Sequence, residues 1–368
     1  MKIETPSEEP QWLRSSRIPS LDGIRAVSII LVTIAHLLPA HGTPFPPSWH
    51  GAARLGALGV DVFFVISGFL ITHLLIRERA KTDTISLNGF YLRRSLRIFP
   101  AYFFFLGVVF VFNRIGWLPV DSDAWLPSLT YTYNLIPGLS PETIGHVWSL
   151  CVEEHFYLMW PLLFLALKQR APIALLFSIA LAVVLRFILW ERFHGGFDID
   201  LFTFTRIDSI AIGCGLAFAA HDRRATSMLQ TLRGRGDLVA VISCATLFAS
   251  VFIFSKSGKY ALGPKHVIEG LAAAAFISAM VTDTQSVVAR WLNGRFLTNV
   301  GVMSYSLYLG QFLTNPTGQW PLSWWFNIPL TVLYALCSYR WIELPILRLR
   351  NQLGGGVRSP AEAMPPPM

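Results

Sequence analysis

Residues 20–39 read SLDGIRAVSIILVTIAHLLP. The stretch is apolar enough for lipid, yet it holds a fixed cation, Arg25, and a titratable imidazole, His36. Eleven residues at about 100° each return to within about 20° around a helix and rise about 16 Å along it. Arg25 and His36 therefore share one helical face. Ser28 and Thr33 lie near that face and make it polar. Ionisable groups in such a setting are costly, so the surroundings decide what they are for.

The surroundings are a membrane protein. The 368 residues are 53% hydrophobic and 14% charged, where a soluble chain carries roughly 25% charge. Mean hydropathy is +0.49. A bilayer crossing needs about 20 apolar residues, and ten stretches are candidates, at about 22–40, 56–76, 98–113, 146–167, 172–190, 206–220, 238–254, 266–282, 299–314 and 325–344. The expected fold is all-α, a polytopic membrane helix bundle. The stretch 125–139 is apolar but short and rich in Pro and Gly, and reads as a surface or re-entrant loop. Residues 1–18 are polar and form no cleavable signal peptide. The bundle occupies 19–350, and the Gly/Pro-rich end, 351–368, reads as a disordered tail. No internal repeat is visible.

Charge sets the orientation. With both termini in the cytoplasm, the inner loops collect Arg77, Arg79, Lys81, Lys168, Arg170, Arg223, Arg224, Arg233, Arg235, Arg290 and Arg295. The outer loops hold only Arg54, Arg114, Arg192, Lys256, Lys259 and Lys265, with acids such as Asp121 and Asp198. This bias places the protein in the cell (inner) membrane with cytoplasmic ends. It also accounts for the net charge of +8 without a nucleic-acid partner. The four cysteines, Cys151, Cys214, Cys244 and Cys337, fall singly in apolar segments and read as core residues. No CxxC and no HExxH is present, so no metal site is expected.

Further ionisable residues lie in or against spans. In YLRRSLRIFPAY, 91–102, Arg94 and Arg97 are spaced i, i+3. They anchor the inner face or fork hydrogen bonds onto a phosphate. In HVWSLCVEEHFYLMWP, 146–161, the adjacent carboxylates Glu153 and Glu154 point about 100° apart. His146, Ser149, Glu153, Tyr157 and Trp160 form one polar-aromatic stripe, which selects Glu153 as the inward-facing acid. Its role is either a buried ion pair, with Arg186 or Arg206, or orientation of an imidazole. Arg206 and Asp208 open a later span as a mutual or interhelical pair. Asp61 is an outer-face ligand or a helix-end polar residue, and Ser67-Gly68 permits close helix packing. Glu343 sits near Arg340, an expected ion pair, and His41 and His50 are loop residues. GxSxG, Walker A and GxGxxG signatures are absent, so the bundle itself must carry any chemistry.

Taken together these segments resemble acyltransferase family 3. The resemblance covers about residues 18–350. It rests on the Arg25…His36 opening, GVDVFFVISGFLI, the Arg-x-x-Arg of Arg94 and Arg97, and WSLCVEEHFYLMWP with Glu153 at the Glu position. RIDSIAIG, SYSLYL and RWIELP follow in the expected order. One departure stands out. After SYSLYL the family often has an aromatic residue and then His, where this chain has Gly310 and Gln311, so Gln311 supplies at most a hydrogen bond. Family members often carry an SGNH-type hydrolase domain after the bundle. The length left after the last span implies handover within the membrane domain or to a separate partner.

The resemblance implies transfer of an acyl group, usually acetyl, from cytoplasmic acyl-CoA to a hydroxyl of a polysaccharide, lipopolysaccharide or glycolipid. Acyl-CoA is then a co-substrate, with no bound cofactor, and membrane lipid is the solvent. On this reading Arg94 and Arg97, with Arg25, hold donor phosphates. His36 acts as general base or carries the acyl group, and Glu153 orients or charges it. Ser67, Arg206 and Asp208 are supporting residues. The alternative class is a glycolipid or small-molecule transporter or flippase, which intramembrane charges also fit.

Overall fold

Backbone polar groups in lipid must pair within their own segment, and helices do this. The computed structural model describes residues 11–14, 18–37, 54–139, 144–193, 199–253, 258–313 and 326–353, which include no strand. His41, His50 and the end of the chain from 354 lie outside them. The main helices, numbered in chain order, are α1 (Pro19–Leu37), α2 (Leu55–Thr82), α3 (Leu87–Arg114), α4 (Val147–Leu167), α5 (Ala171–Phe193) and α6 (Thr203–Ala220). They continue with α7 (Gly236–Phe252), α8 (Lys265–Thr282), α9 (Arg295–Val302), α10 (Ser304–Gly310) and α11 (Asn327–Ser338). A π-helical turn, Tyr339–Glu343, joins α11 to α12 (Leu344–Leu353). Local signals start them: Pro19 opens α1, and the Ser86 hydroxyl caps α3 by accepting from the Gly89 amide at 3.2 Å.

Seven described helical segments are long and apolar enough to cross a membrane, against ten expected stretches. The difference lies in three places. The stretches 146–167 and 172–190 run together as one 47-residue helical segment, Val147–Phe193. At 1.5 Å per residue that is about 70 Å, twice a bilayer core. It does not run straight, because Lys168 takes φ 52° and ψ −113° and reverses the chain. Phe164 of α4 stacks on Phe218 at the end of α6, whereas Arg186 of α5 bonds Asp208 at its start. The stretch 238–254 becomes α7, a 17-residue helix. The stretch 299–314 breaks at Met303 into α9 and α10.

Side-chain contacts sort the helix ends into two sets. Ser20 donates to the Met280 carbonyl at 3.0 Å, His73 meets His221 at 2.9 Å, and Trp160 donates to Thr72 at 2.9 Å. These join the start of α1 to the ends of α2, α4, α6 and α8. At the opposite side Arg206 pairs with Asp61 at 2.7 Å and His36 with Gln311 at 3.3 Å. The helices therefore alternate in direction as the charge pattern required. The side holding the end of α2 also carries Arg77, Arg79, Lys168, Arg170, Arg223, Arg224 and Arg290.

The centre is the α2–α6 pair. A Cβ on Gly68 would fall 2.0 Å from the Ile210 carbonyl oxygen, and one on Gly213 2.0 Å from that of Val65. Only glycine lets these backbones approach so closely, as small residues do where lipid cannot drive helices together. Leu176, Phe177 and Val241 instead point out of the bundle, as a lipid-facing surface requires. Residues 122–135 form a short helix and a 3₁₀ turn over the start of α6, where Asn134 donates to Thr203 at 2.7 Å. Cys151 and Cys214 are buried core residues as expected, but Cys244 is exposed, on the outer face of α7.

Candidate functional site

The stripe on α4 is realised. Ser149, Tyr157 and Trp160 are buried on the face turned to α2 and α10. Ser67 of α2 donates to Glu153 Oε1 at 2.8 Å. The Tyr157 hydroxyl lies 3.0 Å from Glu153 Oε2 and 3.1 Å from Ser67 Oγ. Both carboxylate oxygens thus accept from hydroxyls one helix turn and one helix away. The Arg94 guanidinium carbon sits 3.7 Å above the Tyr157 ring, a cation–π contact that draws α3 onto the same network. Neither Arg186 nor Arg206 is the partner of Glu153.

His36 stands at the opposite end of α1 from Arg25. Its Nδ1 lies 3.3 Å from Gln311 Oε1, so the glutamine supplies the hydrogen bond expected of it. Phe312 meets the His36 ring edge-on at 4.6 Å and stacks on His146 at 4.4 Å and 5°. Below them the Tyr308 hydroxyl donates to the His146 carbonyl at 2.8 Å and lies 2.6 Å from Ser149 Oγ. Ser149 is one turn from Glu153. The His36 ring and the Glu153 carboxylate are therefore linked through Phe312, His146, Tyr308 and Ser149. No direct Glu153–His36 contact occurs, because both carboxylate oxygens are turned toward Ser67 and Tyr157.

At the basic side, the π-helical turn directs Glu343 inward, where it accepts a close hydrogen bond from Ser306. Such turns recur at functional sites. The charges of Arg97 on α3 and Arg25 on α1 act on this carboxylate, while Arg340 is exposed and forms no ion pair with Glu343 among the described residues. Arg94 and Arg97 share a helix face but serve different neighbours, Tyr157 and Glu343. The Nε atoms of Arg25 and Arg94 are buried without a hydrogen-bond partner. An unpaired buried donor is expensive and calls for an acceptor.

Arg206 and Asp208 each form an interhelical pair. Arg206 bonds Asp61 at 2.7 Å and touches His266, while Asp208 takes Arg186 at 2.8 Å. Arg186 also donates to the Leu262 carbonyl at 2.8 Å. These interhelical pairs tie α6 to α2, α5 and α8, and the Arg206 guanidinium carbon lies 5.7 Å from the Trp148 ring of α4. Ligand-type atoms of Asp61, His266 and Glu269 all lie within 4.8 Å of one another, the cluster among the described residues that could hold a cation. The Arg206 guanidinium already places a fixed positive charge on it.

The sequence reading singled out His36, Glu153 and the three arginines but gave no role to His146 or Tyr308. Their signal was the α4 stripe and the SYSLYL segment; what it could not convey was that both meet Phe312 or Ser149 beneath His36.

Comparison with known proteins follows the same lines. The chain is 32% identical over 365 residues to O-acetyltransferase OatA of Staphylococcus aureus strain NCTC 8325 / PS 47, covering 89% of this chain and 57% of that protein. A putative O-acetyltransferase of Staphylococcus aureus strain COL is 30% identical over 361 residues, with the same coverage. The chain thus spans just over half the length of these curated relatives. No solved structure matches it. The acyltransferase domain family matches residues 18–340, from the start of α1 into the π-helical turn, and the chain belongs to that family.

Proposed function

We propose that this protein is a membrane O-acetyltransferase, moving an acetyl group from cytoplasmic acyl-CoA to a hydroxyl of a cell-surface or exported carbohydrate. The observation that carries the reading is the arrangement along α1: a polar imidazole site around His36 at one end and a cluster of arginines at the other. Family membership and the names of the relatives point to the same chemistry.

Arg25, Arg94 and Arg97 take donor phosphates at the basic side, which is the cytoplasmic side of an inner membrane on this reading. The acyl end reaches toward His36. Gln311 Oε1 can only accept, so the proton sits on Nδ1 and Nε2 is the basic nitrogen. Nε2 takes the proton of the acceptor hydroxyl as its oxygen bonds to the acyl carbon. The C–S bond breaks, and the imidazolium returns the proton to the departing thiolate. Glu153 is a positioning residue, acting through Ser67 and Tyr157 to hold Arg94.

The test is purified protein with radiolabelled acetyl-CoA and a panel of glycans. Label on a glycan is the expected result. No label on any glycan, with uptake of glycan by proteoliposomes, overturns the reading in favour of transport.

A further inference from the structure

His266 and Glu269 stand i, i+3 in the first turns of α8, and Asp61 faces them from the first turns of α2. All three are buried, each 1% exposed. One atom of each is held from outside the group. Asp61 Oδ1 accepts from Arg206 at 2.7 Å and from Ser209 at 3.0 Å. Glu269 Oε1 accepts from Ser250 of α7, which itself accepts from Tyr260 at 2.9 Å. His266 Nε2 lies 3.3 Å from Oδ1 of Asp200, in the 3₁₀ turn Ile199–Leu201. The remaining atoms converge. Asp61 Oδ2 and Glu269 Oε2 are buried without a hydrogen-bond partner, and they lie 3.5 and 3.8 Å from the same His266 Nδ1.

We infer that Asp61, His266 and Glu269 bind a divalent transition-metal ion through Oδ2, Nδ1 and Oε2. A single N–H on Nδ1 does not satisfy two oxygens at these distances, since a hydrogen bond needs its acceptor within about 3.2 Å. Ligands about 2.0–2.2 Å from a tetrahedral zinc stand about 3.3–3.6 Å apart. Oδ2 meets that spacing and Oε2 misses it by a few tenths of an ångström. An ion needs no cavity beyond the gap its ligands leave. The outer contacts are those that metal sites use: Asp200 takes the Nε2 proton and leaves the Nδ1 lone pair for the metal, while Arg206, Ser209 and Ser250 fix the carboxylates. A ring nitrogen among the ligands favours zinc-like ions over magnesium or calcium, which take oxygens. Arg206 does not fill the place. Its Nη1 touches both ring nitrogens, which puts it over the ring face, whereas the Nδ1 lone pair lies in the ring plane. With a neutral ring, Asp61, Glu269 and Asp200 outweigh Arg206 and the half-buried Lys265, so the site is anionic. Asp200, with its side chain 57% exposed, links the site to the surface. No sequence motif announced it, because one ligand comes from α2 and two from α8.

The experiment treats the purified full chain in detergent with a chelator, then titrates it with zinc chloride. It reads bound zinc per chain by elemental mass spectrometry, and melting temperature. About one zinc per chain and a raised melting temperature are expected, as for any ligand of the folded state. Magnesium at the same concentration gives neither. His266→Gln and Glu269→Gln each lose a ligand, weaken zinc binding about a hundredfold and abolish the thermal shift. Asp200→Asn, at the exposed rim, keeps the fold and weakens binding about tenfold, and it carries the test if both buried variants fail to fold. Glu191→Gln, an exposed carboxylate outside the group, binds zinc as the wild type does. Zinc that leaves the wild-type melting temperature unchanged, or binds the folded variants as tightly as the wild type, overturns the inference and leaves an ion-pair network around a protonated His266. An equal response to magnesium also overturns it. None of these readouts depends on acyl transfer, so the result stands apart from that reading.

Discussion

His36 Nδ1 lies 3.3 Å from Gln311 Oε1, across 275 positions of sequence. The contact fixes which nitrogen of the imidazole carries the proton. It also fixes the ring at the end of α1 farthest from Arg25. His36→Ala is expected to lower turnover by about 10²–10⁴ while the protein still inserts. Gln311→Leu releases the tautomer without removing the base and costs less, about tenfold in kcat. Near-wild-type turnover in His36→Ala ends the assignment of His36 as base.

Glu153 holds its place through two hydroxyls. Removing one leaves a half-buried carboxylate oxygen short of a donor, at about 1 kcal/mol. Ser67→Ala and Tyr157→Phe should each lower the melting temperature in detergent, and the double variant should cost less than the sum because the two hydroxyls share the carboxylate. Strict additivity would show that the contacts are independent of one another.

The arginines separate by role. Arg97→Ala and Arg25→Ala are expected to raise the acetyl-CoA KM, about tenfold or more for a lost charge-assisted hydrogen bond, with little change in acceptor KM. Arg97→Lys keeps the charge but not the fork and recovers only part of the loss. Steady-state kinetics with acetyl-CoA varied decides the matter; an unchanged donor KM rules out the phosphate role.

His221 lies just past α6, buried beside His73 at 2.9 Å. Burial, aided by the Arg77 charge, pushes its imidazole down to about 4. The unfolded chain binds a proton there near pH 6.5, so the stability gained from the neutral ring is present above that pH. It is lost progressively as pH falls toward the folded value. Melting temperature measured from pH 8 to pH 4.5 should decline below about 6.5, and His221→Gln should flatten the decline. An identical profile in the variant removes His221 as its source.

Gly68 faces the Ile210 carbonyl with no room for a Cβ, at 2.0 Å. Gly68→Ala should separate α2 from α6 and destabilise the bundle by about 1–3 kcal/mol, as overpacking does. Gly107, with nothing near its Cβ direction, is the control position, and Gly107→Ala should be neutral. Thermal unfolding of the two variants side by side reads the difference.

How much of this was legible depended on whether the information was local. The shared face of Arg25 and His36 follows from a single helix and its period, and so does the α4 stripe through Ser149, Glu153 and Tyr157. The alternation of helix directions followed from loop charge. Long-range partners were not readable. Arg206 and Asp208 look like neighbours in sequence, but two helix steps place them about 200° apart, so they pair outward with Asp61 and Arg186. Arg94 and Arg97 share a face, yet long side chains let one reach Tyr157 and the other Glu343. Hydropathy separates α4 and α5 as two apolar stretches but could not see that one backbone conformation at Lys168 divides them.

That division has a consequence for how the protein is made. Only Lys168–Arg170 separates α4 from α5, too little chain for a loop with a life of its own. On the orientation proposed above, the two helices enter the bilayer as one hairpin whose tip, with the basic pair Lys168 and Arg170, stays on the side where synthesis occurs. The direction of every later helix, including α10 with Tyr308 and the Gln311 that follows it, is inherited from that tip.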